Sequence, residues 1–141
     1  MADGTPQEAP AGLLRRLGAM LYDSMIVLAL WLLTLFVLVA LRDAPAVGPL
    51  VQSLLFVELF AFFAYFWVSR GQTVGMLAWG LMLHTDSGAP LRPAQALLRF
   101  IGALASFATL GLGYLWMYVD PDRRTWPDMI SATYIVHVRR S

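Results

Sequence analysis

The chain has 141 residues, of which 59% are hydrophobic and 13% are charged, and its formal net charge is +1. A soluble domain carries about 25% charged residues, so this composition argues against a water-soluble domain and favours one solvated by lipid. The small net charge gives no support for a nucleic-acid partner. The absence of cysteine excludes disulfides, thiolate metal sites and cysteine nucleophiles.

The N-terminal region changes from polar to strongly apolar within a few residues. Residues 1–14 are mostly polar with proline and glycine, and we predict a flexible tail followed by one membrane domain over residues 15–141. Residues 17–41 carry a single charge, Asp23. A helix of that length exceeds the hydrocarbon thickness of about 30 Å, which predicts a first transmembrane span.

A second predicted span follows closely. Residues 42–49 contain two prolines and a glycine and are typical of a turn. Residues 50–69 are again apolar, with Glu58 as the only charge and Tyr65 and Trp67 near the far end as candidate interfacial anchors. The short connection predicts that the two spans are antiparallel neighbours.

The next stretch is too short to span a membrane and contains three glycines. We predict a short interfacial helix near residues 73–79 and a strand within residues 80–86. The β-branched residues at 133–138 predict a second strand. Together these strands are expected to form a small cytoplasmic β element beside an otherwise all-α membrane fold.

Residues 96–119 form a third apolar segment, with Arg99 at its start and the sequence TLGLG in its middle. Each glycine weakens a helix by about 1 kcal/mol. The segment is therefore expected either to break at these glycines, as a hairpin or re-entrant element, or to cross the membrane as a single helix.

The distribution of arginine favours the broken form. Arginine accumulates in the cytoplasmic loops of membrane proteins. Arg15 and Arg16 therefore predict a cytoplasmic N-terminus, and the loop that contains Arg42 is then outside. Four later arginines lie inside only if the third segment turns back, namely Arg123, Arg124, Arg139 and Arg140.

Three motifs in this order resemble the RDD family of small bacterial integral membrane proteins. They are RRLGAMLYD near the start, GQTVGMLAWGLML after the second span and RRTWPDMISATYIV near the end. The resemblance covers about residues 13–138. It implies a location in the bacterial inner membrane, and for some members a transport role that includes sodium–proton exchange.

The resemblance also identifies positions that carry the family pattern. Its arginine corresponds to Arg16, and its two aspartates correspond to Asp23 and Asp128. The Gly-x-Thr-x-Gly element corresponds to residues 71–75, and the arginine at the head of the last apolar segment corresponds to Arg99.

The spacing of the first two charges predicts that they need other partners. Arg16 and Asp23 lie on one helix stripe but are separated by about 10.5 Å along the axis. We predict that Asp23 pairs with Arg99, which starts a segment from the same side, while Arg16 is free to meet Asp128. Asp23 is then either a buried acid on an ion or proton path or a structural tie between segments.

Glu58 lies near the middle of the second predicted span. An unpaired charge there costs at least about 2.5–3.5 kcal/mol on insertion scales. We expect either a protonatable carboxylate in a transport path or an acid that joins helices by hydrogen bonding. Ser106 lies at a similar depth in the third segment and is the candidate partner.

Asp128 directly follows Pro127, which fits the first turn of a helix. A carboxylate is favourable at that end of a helix. Asp128 is therefore expected to cap a helix or to pair with Arg123 or Arg124. The alternative is a ligand-binding role that it shares with Arg16.

The chain carries no motif for a nucleophile, a phosphate loop or a metal site, so we expect no enzyme activity, no cofactor and no metal. One predicted function is a transporter or ion-coupled carrier, which would act as a homo-oligomer because so few spans cannot enclose a path. The alternative is a non-transporting accessory or assembly protein that binds a membrane partner or an anionic ligand.

Overall fold

Two long antiparallel helices form the membrane part of the fold. The structure, a computed structural model, describes residues 8–138. Helix α1 (Leu13–Arg42) and helix α2 (Pro49–Arg70) both have the length and hydropathy to cross a membrane. Both predicted spans are confirmed, and each helix extends slightly beyond its predicted limits.

Local backbone chemistry ends each helix where the chain turns. Asp43 adopts a left-handed φ of 50° and its N–H donates to the carbonyl oxygen of Val39, which closes α1. Helix α2 begins with Pro49 in its first turn and ends at Gly71, whose φ of 66° suits glycine.

A small antiparallel sheet lies at the end of the molecule opposite the α1–α2 loop. Strand β1 (Glu8–Pro10) pairs with β3 (Thr133–Val138), and β3 pairs with β2 (Leu81–Thr85). The predicted strands near the middle and the end of the chain are therefore confirmed. Strand β1 occupies part of the predicted flexible tail, whose residues 1–7 lie outside the described residues.

The short helix predicted between the second span and β2 is also present. Helix α3 (Val74–Ala78) is capped by Thr73, whose hydroxyl accepts a hydrogen bond from the N–H of Met76 at 3.2 Å. A helix of one turn leaves most of its backbone N–H groups without a partner inside the helix. The Thr73 cap satisfies one of these donors.

The third apolar segment is broken, as the arginine distribution predicts. Helix α4 (Pro93–Ala108) is followed by a turn, by the short helix α5 (Leu112–Leu115) and by a 3-10 turn over Trp116–Tyr118. The axis bends by 107° between α4 and the segment after the turn. Gly111, with a φ of 87°, lies in the bend.

The bent segment returns to the side from which it starts. Thr85, at the end of β2, pairs with Thr133, at the start of β3, so residues 86–132 leave the sheet and come back to it. Helix α4 measures about 24 Å, less than the hydrocarbon thickness of about 30 Å. The straight form of the third segment is therefore wrong, and the segment is a bent helix pair.

The packed core lies at the sheet end of the helices. Helix α6 (Trp126–Ser131) packs on α4, with Gly102 against the backbone of Pro127. The buried residues of α1 are Arg16, Ala19, Asp23 and Val27, all in its first half. The second half of α1 buries no residue within the chain, which leaves it available to lipid.

Candidate functional site

A buried cluster of three charges joins α1, α4 and α6. Arg16 donates from Nη1 to Oδ2 of Asp128 at 2.7 Å, and Arg99 donates from Nη1 to Oδ1 of Asp128 at 2.5 Å. The exposed fractions of Arg16, Arg99 and Asp128 are 4%, 6% and 0%. The predicted contact between Arg16 and Asp128 is therefore confirmed, and Asp128 links the two family arginines.

Helix α6 holds the carboxylate of Asp128 in place. The N–H of Thr125, the N-cap residue, donates to Oδ2 of Asp128 at 3.2 Å, and Pro127 lies in the first turn, so the predicted cap is present. The alternative pairing with Arg123 or Arg124 is wrong, because Asp128 pairs with Arg16 and Arg99, while Arg123 is exposed and Arg124 pairs with Asp86 at 2.8 Å.

The two arginines keep Asp128 ionised. Burial raises the pKa of this carboxyl group, but the positive charges of Arg99 and Arg16 and their hydrogen bonds outweigh burial. The pKa of Asp128 therefore lies below its ordinary value. Two guanidinium groups then face one carboxylate, which leaves the cluster with a formal charge of +1.

Arg99 has unused hydrogen-bonding capacity. Its Nη1 also donates to the hydroxyl of Thr133 at 3.1 Å, and its guanidinium carbon lies 5.3 Å from the centre of the Trp67 ring. Its Nε is buried and has no hydrogen-bond partner within residues 8–138. Trp67, which we predict as an interfacial anchor, is instead buried beside this arginine.

Asp23 binds to neutral donors, so the predicted Asp23–Arg99 pair is wrong. The hydroxyl of Thr73 donates to Oδ2 of Asp23 at 2.5 Å, and the N–H of Gly75 donates to Oδ1 at 2.7 Å. The Gly-x-Thr-x-Gly element therefore holds the aspartate and ties α3 to α1. A Cβ on Gly75 would collide with the carbonyl of Ala19 and come within 2.9 Å of Cγ of Asp23.

Glu58 joins the two long helices at mid-depth. The hydroxyl of Thr34 lies 3.0 Å from each carboxylate oxygen of Glu58, which is half-buried. The predicted partner, Ser106, instead donates to the carbonyl of Gly102 at 2.7 Å, one turn back in its own helix. The indole of Trp31 makes a second link between the helices.

Thr73 lies within the family pattern, but the sequence does not predict that it binds Asp23 or that Thr34 binds Glu58. A threonine followed by a short apolar helix is a capping signal that could have singled out Thr73. No comparable signal marks Thr34, because a threonine in an apolar helix has many possible partners.

A cavity of about 470 Å³ lies between α1, α2 and α4. Arg16, Arg99 and Thr73 line one end, and the rest of the lining is almost entirely apolar, with Val27 and Phe100 as examples. The volume lies within the range of about 300–1,000 Å³ that is typical of small-molecule sites.

Within the described part of the chain, no three histidine, aspartate or glutamate side chains are grouped so that they could hold a metal ion. Arg16 and Arg99 offer fixed positive charge at the cavity, and most of the other lining residues offer apolar contact.

Comparison with known proteins identifies the family of this chain. No curated protein and no solved structure matches the chain. The family model described as RDD family matches residues 10–132, which is most of the chain and includes Arg16, Asp23, Arg99 and Asp128. The chain therefore belongs to the RDD family and is an integral membrane protein.

Proposed function

We propose that this protein is a non-catalytic, non-transporting accessory protein of the membrane, which binds a ligand with an acidic group at the cluster of Arg16, Asp128 and Arg99. The observation that carries this proposal is the surplus of one positive charge in a buried cluster. A buried surplus charge is costly unless another charge compensates it, so the cluster favours the approach of an anion.

The surroundings of the family charges support binding rather than transport. A residue that carries an ion or a proton must change partners during the cycle. Asp23 accepts hydrogen bonds from Thr73 and Gly75, and both donors belong to the turn that packs α3 on α1. Releasing Asp23 would therefore disturb the packing itself, which is the behaviour of a structural tie.

The anion proposal is tested with small acids that lack a long acyl chain. Butyrate and inorganic phosphate are expected to raise the thermal unfolding midpoint of the purified protein in neutral micelles. The shift should disappear in Arg99→Gln and persist in Arg123→Gln, an exposed arginine outside the cluster. Equal shifts in both variants would contradict the proposal.

A second candidate function, an ion-coupled carrier, is favoured by Glu58 alone. Its carboxylate contacts only the neutral hydroxyl of Thr34, and within residues 8–138 it forms no ion pair. A half-buried acid with no countercharge at mid-membrane depth is typical of a proton relay.

Proteoliposome flux separates the two functions. We expect no sodium-driven proton movement above that of empty vesicles. A flux that is lost in Glu58→Gln and kept in Asp43→Asn, a loop carboxylate, would support the carrier and contradict the accessory role.

We propose that the sheet end faces the cytoplasm of a bacterial inner membrane, because most of the arginines lie at that end. The chain contains no cysteine, so single cysteines can report the orientation without background. In intact cells, a membrane-impermeant maleimide is expected to label Ala44→Cys in the α1–α2 loop and to leave Ser87→Cys in the turn after β2 unlabelled. The reverse pattern would contradict this orientation.

The homo-oligomer remains a prediction.

A further inference from the structure

We propose that the cavity between α1, α2 and α4 is a binding site for a single-chain anionic amphiphile from the bilayer, of the fatty-acid class, with its carboxylate at Arg99 and its acyl chain along the cavity. This inference rests on the proposed function and specifies the ligand of the same cluster.

The shape of the cavity favours a chain over a compact ligand. Its lining on α1 extends from Arg16 to Trp31, a rise of about 22 Å along the helix axis. One leaflet contributes about half of the 30 Å hydrocarbon thickness. A ligand that fills this space is therefore long and narrow, and it extends in the direction of the neighbouring lipid chains.

The lining of the cavity, like an amphiphile, has a polar end and a mostly apolar remainder. Charged and polar side chains occur at the end near the sheet, where Arg16, Thr73 and Arg99 lie. Beyond them most of the lining consists of apolar and aromatic side chains such as Val27 and Phe63, with Ser24 as a polar exception. An acidic head at the first end and a hydrocarbon tail in the remainder match this distribution.

Arg99 provides the hydrogen-bond donors for the acidic head. The side chain is more than nine-tenths buried and lines the cavity, yet its Nε has no partner in the described chain. Both of its hydrogen bonds to Asp128 and Thr133 leave from Nη1. A carboxylate binds arginine through two neighbouring N–H groups, so the edge that contains Nε is suited to a second acid.

The cavity is open to lipid where some of its apolar lining residues are exposed. Helix α1 packs mainly on α3, while α4 packs on α2 and α6, so α1 and α4 are separated by the cavity. Leu28, Leu104 and Phe107 line it and are also exposed. A ligand can therefore enter sideways from the membrane, without passing through water.

The test uses 9,10-dibromostearate, whose bromine atoms quench tryptophan fluorescence on contact. Trp31 and Trp67 both line the cavity and report its occupation. Purified protein in neutral maltoside micelles is titrated with this acid, and we expect saturable quenching that is reversed by unbrominated stearate. The methyl ester, which lacks the charge, should need at least a tenfold higher concentration.

Two variants fill the cavity without changing any charge. Ala103→Phe places a ring in the lining on α4, and Ser24→Phe places one on the exposed part of the lining on α1. The matched control is Ala105→Phe, an exposed position of the same helix outside the cavity. Circular dichroism and gel filtration establish which variants are folded, and either folded cavity variant is sufficient for the test.

We expect the half-quenching concentration to rise at least tenfold in Ala103→Phe and in Ser24→Phe and to stay unchanged in Ala105→Phe. Equal quenching in cavity and control variants would overturn the inference, and so would equal affinity for the methyl ester. One outcome is that butyrate stabilises the protein through Arg99 while dibromostearate quenches the cavity variants and the Ala105→Phe control equally. In that outcome the amphiphile inference fails and the proposed anion binding stands. If neither acid binds, both fail.

Discussion

Removing the carboxylate of Asp128 is the sharpest test of the charge cluster. Asp128 is fully buried and lies 2.7 Å from one guanidinium nitrogen of Arg16 and 2.5 Å from one of Arg99. In Asp128→Ala, the two arginines would remain buried with no countercharge. Breaking a buried ion pair from one side typically costs about 3–5 kcal/mol.

This loss is large compared with the stability of a typical domain. Unfolding free energies of about 5–15 kcal/mol are usual, and each 1.4 kcal/mol changes an equilibrium constant about tenfold. Asp128→Ala is therefore expected to raise the unfolded fraction by at least about a hundredfold. The assay is reversible unfolding in mixed micelles with increasing sodium dodecyl sulfate, followed by circular dichroism.

The matched control for this experiment is Asp122→Ala. Asp122 is exposed in the loop before α6, so its removal should change stability by no more than about 0.5 kcal/mol. Equal losses in the two variants would refute the reasoning that the buried cluster holds α1, α4 and α6 together.

Two further predictions concern pH and backbone packing. Because the folded-state pKa of Asp128 lies below its ordinary value, its contribution to stability is complete above the unfolded pKa of about 3.9. It is lost as the pH falls through the folded pKa. As the pH is lowered below about 4, the sodium dodecyl sulfate concentration at the unfolding midpoint of the wild type should therefore fall. The midpoint of Asp128→Asn should fall less over the same pH range. Equal pH dependence of the two midpoints would contradict this assignment. Gly75→Ala should cost about 1–3 kcal/mol, because its Cβ would collide with the carbonyl of Ala19 and crowd Asp23. Ala78→Ser, exposed in the same helix, should be neutral by the same unfolding assay, and equal losses in the two variants would argue against close packing at Gly75.

Sequence reasoning located the transmembrane helices because their signal is local. A long apolar run defines a span through hydropathy and helix rise alone, and α1 and α2 follow that rule. The break after α4 was also predictable, since two glycines weaken the helix locally and the arginines that follow favour a return. The three-residue strand β1 gave no local pattern, and it forms only because β3 offers it a free edge.

Charge partners were harder to predict than charged positions. Depth in the membrane and sign suggested that Asp23 and Arg99 should meet, and both residues are buried near the sheet end. Depth does not fix the direction in which a side chain points around its helix axis. Helix α3 covers Asp23 with its own donors, while α6 brings Asp128 between the two arginines.

The sequence by itself therefore determined that this protein lies in a membrane, that two of its segments are long and apolar enough to cross it, and which charges are unusual. These properties depend on residues that are close together along the chain. Only the tertiary structure decided that Asp128 joins Arg16 to Arg99, that Glu58 faces Thr34 and that Arg99 lines a cavity between the helices. Each of these features requires the packing angle between separate helices, which no local pattern specifies.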